Sequence, residues 1–356
     1  MSYIDLDISA ELQAQVQAAV HKRQALQIVG GQTKAFYGRP TQGEVLAVNR
    51  HCGILEYEPS ELVITARAGT PLAAIEATLA QHQQMLSFEP PHFAPSATLG
   101  GAIACGVSGA RRPFTGSARD SLLGVKMLNG QGESVKFGGV VIKNVAGFDV
   151  ARLQVGALGT LGVMLEISLK VMPLPSAEHC LSFELPLAKA LELMQQWGRQ
   201  PWPISAACYT AGQLYLRLSG GESALAATHR QLGGELLTLA QVEQFWQGLR
   251  TQQLAFFQDP APLWQIFVPS ATAILNIPGT WLIDWGGALR WLKSTESADA
   301  IFAQAQAAGG HACRFRSADG GLLPPLAPAL AELNSRIKTA CDPWGIFNPG
   351  RLYPEW

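Results

Sequence analysis

Four glycine-bearing loops, each at the end of a strand pattern or between two, constrain this chain more than any other feature of its sequence. The first is Gly30-Gly31-Gln32-Thr33-Lys34. The second is Ala97-Thr98-Leu99-Gly100-Gly101-Ala102-Ile103-Ala104, continuing through Gly106, Gly109, Arg111, Arg112, Gly116, Ser117 and Asp120. The third is Gly156-Ala157-Leu158-Gly159-Thr160-Leu161-Gly162-Val163, and the fourth is Asn348-Pro349-Gly350-Arg351. Glycine permits positive φ and lets main-chain N–H groups come close to an anion. A run of such groups makes a concavity suited to a pyrophosphate. Small residues also let a flat ring lie against the backbone. Each loop alone is an ordinary turn signal, so the ordered set carries the information.

Familiar nucleotide motifs do not account for it. No GxGxxG with an acidic residue about 20 positions on is present, which speaks against a Rossmann dinucleotide site. Gly38 and Gly43 have Walker A spacing, but Glu44 stands where that motif requires lysine. No GxSxG elbow exists, so a serine hydrolase has no nucleophile.

Periodicity organises the rest. Ser9 is expected to cap a helix with Leu12, Val16 and Val20 on one face. Leu26 to Val29 reads as a strand running into Gly30. A second strand, Leu62 to Ala68, stops at Gly69, with Thr70 as N-cap and Pro71 as the first residue of a helix carrying Leu72, Ile75 and Leu79. Leu122 to Leu128 and Glu133 to Phe137 flank Asn129-Gly130-Gln131-Gly132, a hairpin signal. Val163, Leu165, Ile167, Leu169 and Val171 alternate cleanly with Met164, Glu166, Ser168 and Lys170. Pro173 and Pro175 end that strand and mark a domain boundary. A second α+β unit follows, with a helix face at Leu187, Leu191 and Met194 and a strand at Leu214, Leu216 and Leu218. Trp246, Trp264, Trp281, Trp285 and Trp291 lie in it, as buried aromatics or as an interface. A helix from Pro328 to Ala340 closes the chain before Asp342-Pro343.

At 356 residues with a net charge of -1 and no basic block, the chain has room for two domains and no electrostatic case for nucleic acid. Charged residues are only 15% of the sequence, against an average near ~25%, which implies a large core or a covered surface. No run approaches the ~18 apolar residues of a spanning helix; the most apolar stretch, Leu161 to Leu174, carries Glu166 and Lys170. The start MSYIDLDISAE lacks a basic and an apolar region, so no secretory signal is expected. The six cysteines (Cys52, Cys105, Cys180, Cys208, Cys313 and Cys341) include no CxxC, and the seven histidines form no HxH or HxxxH pair. Neither a cluster nor a protein-bound metal is expected.

Taken in order, Gly30-Gly31, Ala97 to Gly101, Arg119 to Gly124, Gly159 to Val163 and Asn348 to Arg351 resemble the FAD-binding domain of the vanillyl-alcohol oxidase superfamily, the PCMH-type fold. Arg111-Arg112-Pro113, Gly116-Ser117, Arg119-Asp120, Gly138-Gly139 and Lys143-Asn144-Val145-Ala146-Gly147-Phe148-Asp149 are further similar to the FAD-binding E subunits of glycolate oxidases. The resemblance covers about residues 1–175 and the last fifteen. It implies an α+β fold: a two-lobed PCMH-type FAD-binding domain over 1–175 (lobes about 1–50 and 51–175), a smaller α+β cap over 176–316, and a segment 317–356 returning to the FAD domain.

The cofactor implied is non-covalent FAD. Gly30, Gly31, Gln32 and Thr33, with Thr98, Leu99, Gly100 and Gly101 and the neighbouring Ala97, would hold the pyrophosphate by main chain. Gly159, Thr160, Gly162 and Val163 would lie under the adenine or ribitol, and Asn348 would approach from the C-terminus. Gly116, Ser117 and Asp120 complete the set, with Ser117 a donor that could favour the reduced, anionic flavin. No metal and no catalytic base are assigned. Arg111, Arg112 and Lys143 are the charged residues to watch near the flavin, and Arg111, Arg112 or Arg314 could clamp a carboxylate.

Departures temper the match. Gln32 stands where a third glycine is common, Ala157-Leu158 replaces the Ser-Glu of single-chain 2-hydroxy-acid dehydrogenases, and only His311 remains of their histidine-rich cap motif. The function implied is a FAD-binding subunit of a complex oxidising glycolate and similar 2-hydroxy acids to glyoxylate. Its partners would be a catalytic FAD subunit and an iron–sulfur subunit, in the cytoplasm or at the inner face of its membrane through those partners. The alternatives are a self-sufficient FAD-dependent dehydrogenase, disfavoured by the unpaired histidines, and a flavin-free scaffold, disfavoured by the retained loops.

Overall fold

Leu12, Val16 and Ala19 are buried on one face of the helix Ser9–Lys22, as their spacing demands. The computed structural model describes residues 5–140 and 149–356, so the expected motif residues Lys143 to Phe148 lie outside the described residues. Ser9 is not the cap of this helix. Ile8 holds that position, and Asp7 Oδ1 accepts the Ser9 N–H at 2.8 Å. An aspartate two residues upstream mimics a cap through this local turn.

Thr70 differs in the same way. Pro71 is the cap and the helix Leu72–Ala80 starts one residue late. The Thr70 hydroxyl instead donates to the Arg67 carbonyl at 2.7 Å and accepts the Gly53 N–H at 3.0 Å. It pins the turn from strand to helix.

Described residues up to Val107, those from Ser117 to Pro173 and those from Pro325 onward form one compact unit; Ser108–Gly116 and Leu174–Pro324 form another. In the first unit an antiparallel five-stranded sheet runs in the order Ile54–Glu58, Val63–Arg67, Val163–Lys170, Leu122–Leu128, Ser134–Gly138. The middle strand is Val163–Lys170. Its alternation suggests one dry face, yet Met164 and Ser168 are buried as well as Val163, Leu165 and Ile167. A central strand with both faces covered explains this. The expected hairpin pairs Leu128 with Ser134, and Asn129 Oδ1 accepts the N–H groups of Gln131 and Glu133, both at 3.0 Å, to shape its turn.

A separate parallel pair, Leu26–Val29 with Glu44–Ala47, stands nearest the candidate site. The C-terminal segment joins it: Leu26 donates to the Ile346 carbonyl at 2.7 Å and accepts the Asn348 N–H at 3.0 Å. The preceding helix Pro328–Cys341 is anchored at its end by buried Lys338, whose Nζ donates to Asp342 Oδ2 at 2.6 Å and the Thr160 carbonyl at 2.7 Å.

The second unit is built on one eight-stranded sheet, in the order Glu235–Leu236, Ala177–Glu184, Gln213–Gly220, Ile204–Thr210, Thr280–Asp284, Leu289–Lys293, Leu263–Phe267, His311–Arg316. Helix Leu187–Trp197 buries Leu191 and Met194. Trp246, Trp264, Trp285 and Trp291 are buried within this unit, which accounts for them as core residues. Segment Ser108–Gly116 packs here too. Arg111 is buried and ion-paired with Glu178 at 2.5 Å, with a second bond to Ser219 at 3.2 Å. Trp285 Nε1 donates to the Gly109 carbonyl at 2.9 Å, and the Arg112 guanidinium lies 4.2 Å from the Trp285 ring centre. A buried guanidinium needs a carboxylate, and Glu178 supplies it.

Candidate functional site

Strand Leu26–Val29 runs directly into residues 30–34, and these form one wall of a cavity with about 970 Å³ of empty space, open solvent included. All of its walls belong to the first unit. It brings together Gly30, Gly31, Gln32, Thr33, Thr98, Gly100, Gly101, Gly159, Gly162 and Asn348 of the expected set. Lys34, Cys105, Leu158, Met164 and Arg351 also line it.

The two leading loops differ in what they offer. Among the described residues, none of the N–H groups of residues 30–34 donates to a protein acceptor. Leu99, by contrast, donates to the Thr70 carbonyl at 2.9 Å, Gly100 to the Ala68 carbonyl at 2.7 Å, and Gly101 to Thr98 Oγ1 at 3.2 Å. All five main-chain donors of the first loop thus stand ready, whereas in the second, where the sequence led us to expect the same, the N–H groups of Leu99, Gly100 and Gly101 are taken. The second loop contributes the bare Cα surfaces of Gly100 and Gly101.

Sterics explain two of the glycines. A Cβ at Gly31 would lie 1.6 Å from the Ser96 carbonyl oxygen, so no side chain fits. A Cβ at Gly101 would meet only Thr98 Oγ1, at 3.1 Å. Gln32 adopts φ 54°, in the left-handed region, which is why a glycine suits this position. That conformation costs a non-glycine residue ~1–2 kcal/mol, against ~0.4–1 kcal/mol for the extra freedom glycine adds to the unfolded chain. Gln32→Gly is therefore expected to raise the thermal midpoint by about 1–3 °C, measured by calorimetry; a lower midpoint would show that the glutamine side chain holds the loop.

The terminal Asn-Pro-Gly-Arg segment is a fastening. Asn348 Oδ1 accepts the Ile28 N–H at 2.8 Å and Nδ2 donates to the Leu158 carbonyl at 2.7 Å, so both ends of the side chain tie the first strand to the third loop. Arg351 donates to the carbonyls of Arg39 at 2.8 Å, Ala35 at 3.1 Å and Tyr37 at 2.6 Å, closing the chain that follows Lys34. Both residues line the cavity chiefly as scaffold.

Other expected residues lie elsewhere. Ala97, Leu99, Thr160 and Val163 are buried and do not line the cavity; the Thr160 hydroxyl donates to the Ala157 carbonyl at 2.7 Å. Gly116, Ser117 and Asp120 are not part of the lining. The Ser117 hydroxyl donates to Asp120 Oδ2 at 2.7 Å, so its proton is held locally at the start of the short helix Ala118–Ser121. Arg111 and Arg112 are engaged in the second unit, Arg314 also belongs to that unit, and Lys143 lies outside the described residues.

Sequence reasoning passed over Lys34, Arg351 and Cys105 as site residues. Burial pushes the Lys34 pKa down and the Cys105 thiol up, with Lys34 and Arg351 acting on the thiol in the opposite direction. A lysine directly after the glycine loop was the available signal.

The FAD binding domain family model matches residues 5–138. Glycolate oxidase subunit GlcE of Escherichia coli (strain K12) is 49% identical over 351 residues, covering 99% of each chain. The chain belongs to the GlcE family. More distant relatives of this GlcE-family chain include glycolate oxidase subunit GlcD of Bacillus subtilis (strain 168), 31% identical over 144 residues, which are 40% of this chain and 30% of that one. D-2-hydroxyglutarate dehydrogenase of Xanthomonas citri pv. viticola is 32% identical over 180 residues, 49% of this chain and 38% of its own. In fold, the GlcE-family chain superposes on alkyldihydroxyacetonephosphate synthase with a TM-score of 0.67 at 13% identity, covering 96% of this chain and 75% of the other.

Proposed function

We propose that this chain holds one FAD, non-covalently, in the glycine-lined cavity and serves as a flavoprotein subunit of a complex that oxidises glycolate and similar 2-hydroxy acids, glycolate to glyoxylate. The observation that carries the reading is the loop of residues 30–34, with five N–H groups and the Lys34 ammonium turned to no protein acceptor. Such a loop is suited to a pyrophosphate. Gly101, where a Cβ would meet only Thr98 Oγ1 at 3.1 Å, leaves room on the cavity wall, so the residues present fit a dinucleotide flavin. Full-length likeness to a glycolate oxidase subunit supports the reaction class, and the partners we infer are a catalytic FAD subunit and an iron–sulfur subunit. No described helix is long and apolar enough to cross a membrane; we place the complex in the cytoplasm, with membrane attachment through its partners.

FAD, when bound, would supply two-electron redox chemistry to the complex. The chain's own part is binding and orientation. Residues 30–34 would supply donors to the diphosphate, Gly101 would give it close approach, and Asn348 with Arg351 hold the loop in the donating shape. Of the expected contacts, we retain Gly30, Gly31, Gln32, Thr33, Thr98, Gly100, Gly101, Gly159, Gly162 and Asn348 as the wall of this site.

Acid precipitation of the purified protein is the direct test. All flavin is expected in the supernatant, one per chain, because the lining includes no histidine and its cysteine is held as a thiol by burial. A yellow pellet would show a covalent link, and protein free of flavin would favour the scaffold role.

A further inference from the structure

Lys34 lines the glycine cavity with only 7% of its surface exposed. Among the described residues it forms no ion pair and donates no hydrogen bond; its Nζ lies 5.5 Å from the centre of the Phe93 ring, and the Cys105 thiol, kept protonated by burial, is within electrostatic reach. The other lining cation, Arg351, is held by three main-chain carbonyls. An ammonium withdrawn from water without an anion is strongly disfavoured, and burial accordingly pushes the Lys34 pKa down. A protein that keeps such a group beside five unbonded N–H donors has left the countercharge to a ligand. We propose that Lys34 is the charge partner of the ligand's diphosphate, and so selects adenine-dinucleotide flavin over flavin without phosphate. This rests on the reading of the cavity as the FAD site.

The proposal separates diphosphate recognition from recognition of the flavin ring. A cation at the end of the donor loop acts on ligands carrying the diphosphate and leaves phosphate-free ligands alone. Charge-assisted hydrogen bonds are among the stronger protein contacts, and loss of one corresponds to about 10- to 100-fold in affinity. Removing an uncompensated buried charge also relieves the empty protein. Lys34→Met, similar in length, should therefore melt no lower than the wild type when flavin-free.

The test uses deflavinated full-length protein, titrated with FAD and riboflavin by quenching of flavin fluorescence, and with ADP and adenosine as competitors. In the wild type, ADP is expected to displace FAD at least about tenfold more effectively than adenosine. Lys34→Met should weaken FAD and ADP by about 10- to 100-fold while changing riboflavin less than about twofold. Lys34→Arg, which keeps the charge, should bind FAD within a few-fold of wild type. Equal loss for FAD and riboflavin, unchanged FAD affinity in Lys34→Met, or equal competition by ADP and adenosine would each overturn the proposal while leaving the FAD reading in place. If Lys34→Met does not fold, Lys34→Gln, also uncharged, takes its place in the same titrations with the same expected losses. Failure of the wild type to bind any flavin would overturn the FAD reading itself.

Discussion

Mixed anaerobically with glycolate or D-lactate, the isolated flavin-loaded chain should keep its visible spectrum, whereas the reconstituted complex should turn glycolate over to glyoxylate. Oxidation of a 2-hydroxy acid requires a clamp for the carboxylate and a base within ~2.6–3.2 Å of the hydroxyl proton. Among the described residues, the cavity lining includes no histidine, aspartate or glutamate. Arg111, a candidate clamp, is bound to Glu178, and Arg112 lies on Trp285. His51 is fully buried and its Nδ1 accepts the Ile8 N–H at 3.2 Å. His311 stacks on Phe267 with ring centres 4.9 Å apart, and burial and Arg112 hold its pKa below the ordinary value. A missing general base alone costs ~10²–10⁴-fold. Stopped-flow absorbance at the flavin bands reads the difference; rapid bleaching of the lone subunit would sink the division of labour and make the chain a dehydrogenase in its own right.

The second large effect is loss of flavin from Gly101→Val. This glycine has helical φ, within the helix Leu99–Cys105, so a side chain brings no left-handed strain. Valine is slightly preferred to glycine in helices, by a few tenths of a kcal/mol. The added methyls would stand in the cavity, with only Thr98 Oγ1 near the Cβ. We expect a protein that melts close to wild type and purifies colourless, with the ratio of flavin to protein absorbance near zero. Normal flavin content would put the cofactor elsewhere. Gly31→Val is a contrasting case, because its Cβ would overlap the Ser96 carbonyl; it should lose both flavin and thermal stability.

Local pattern was legible where neighbours in sequence decide the outcome. Leu12 and Val16, or Leu72, Ile75 and Leu79, declare their helices through spacing alone. The cap positions slipped by one because Asp7 and Pro71 compete with Ser9 and Thr70 for the same role, and propensity does not rank such neighbours. The ordered glycine loops were legible too, and Gly30, Gly31, Gly100, Gly101, Gly159 and Gly162 all stand on the cavity wall. What stayed hidden is set by distant partners. The Gly100 N–H is occupied by Ala68, Arg111 is committed to Glu178, 67 residues away, and Lys34 is buried beside Phe93. No spacing rule in one sequence encodes those meetings, so donors were expected in the second loop and a free clamp at Arg111.

The fastening at Asn348 sets a timetable for biosynthesis. Ile28 and Asn348 are 320 residues apart, and a ribosome adds ~5–20 residues per second. The donor loop is thus among the early parts of the chain to emerge, yet its fastener arrives many seconds later. Until then the glycine segment has only nearer partners such as Ser96, whose hydroxyl donates to the Gly31 carbonyl at 2.9 Å, and the whole second unit is translated in the interval. Completion of the cavity wall is accordingly an event of the finished polypeptide. A nonsense or frameshift lesion shortly before Asn348 would yield a nearly full-length product without this fastener, whatever the state of its glycines.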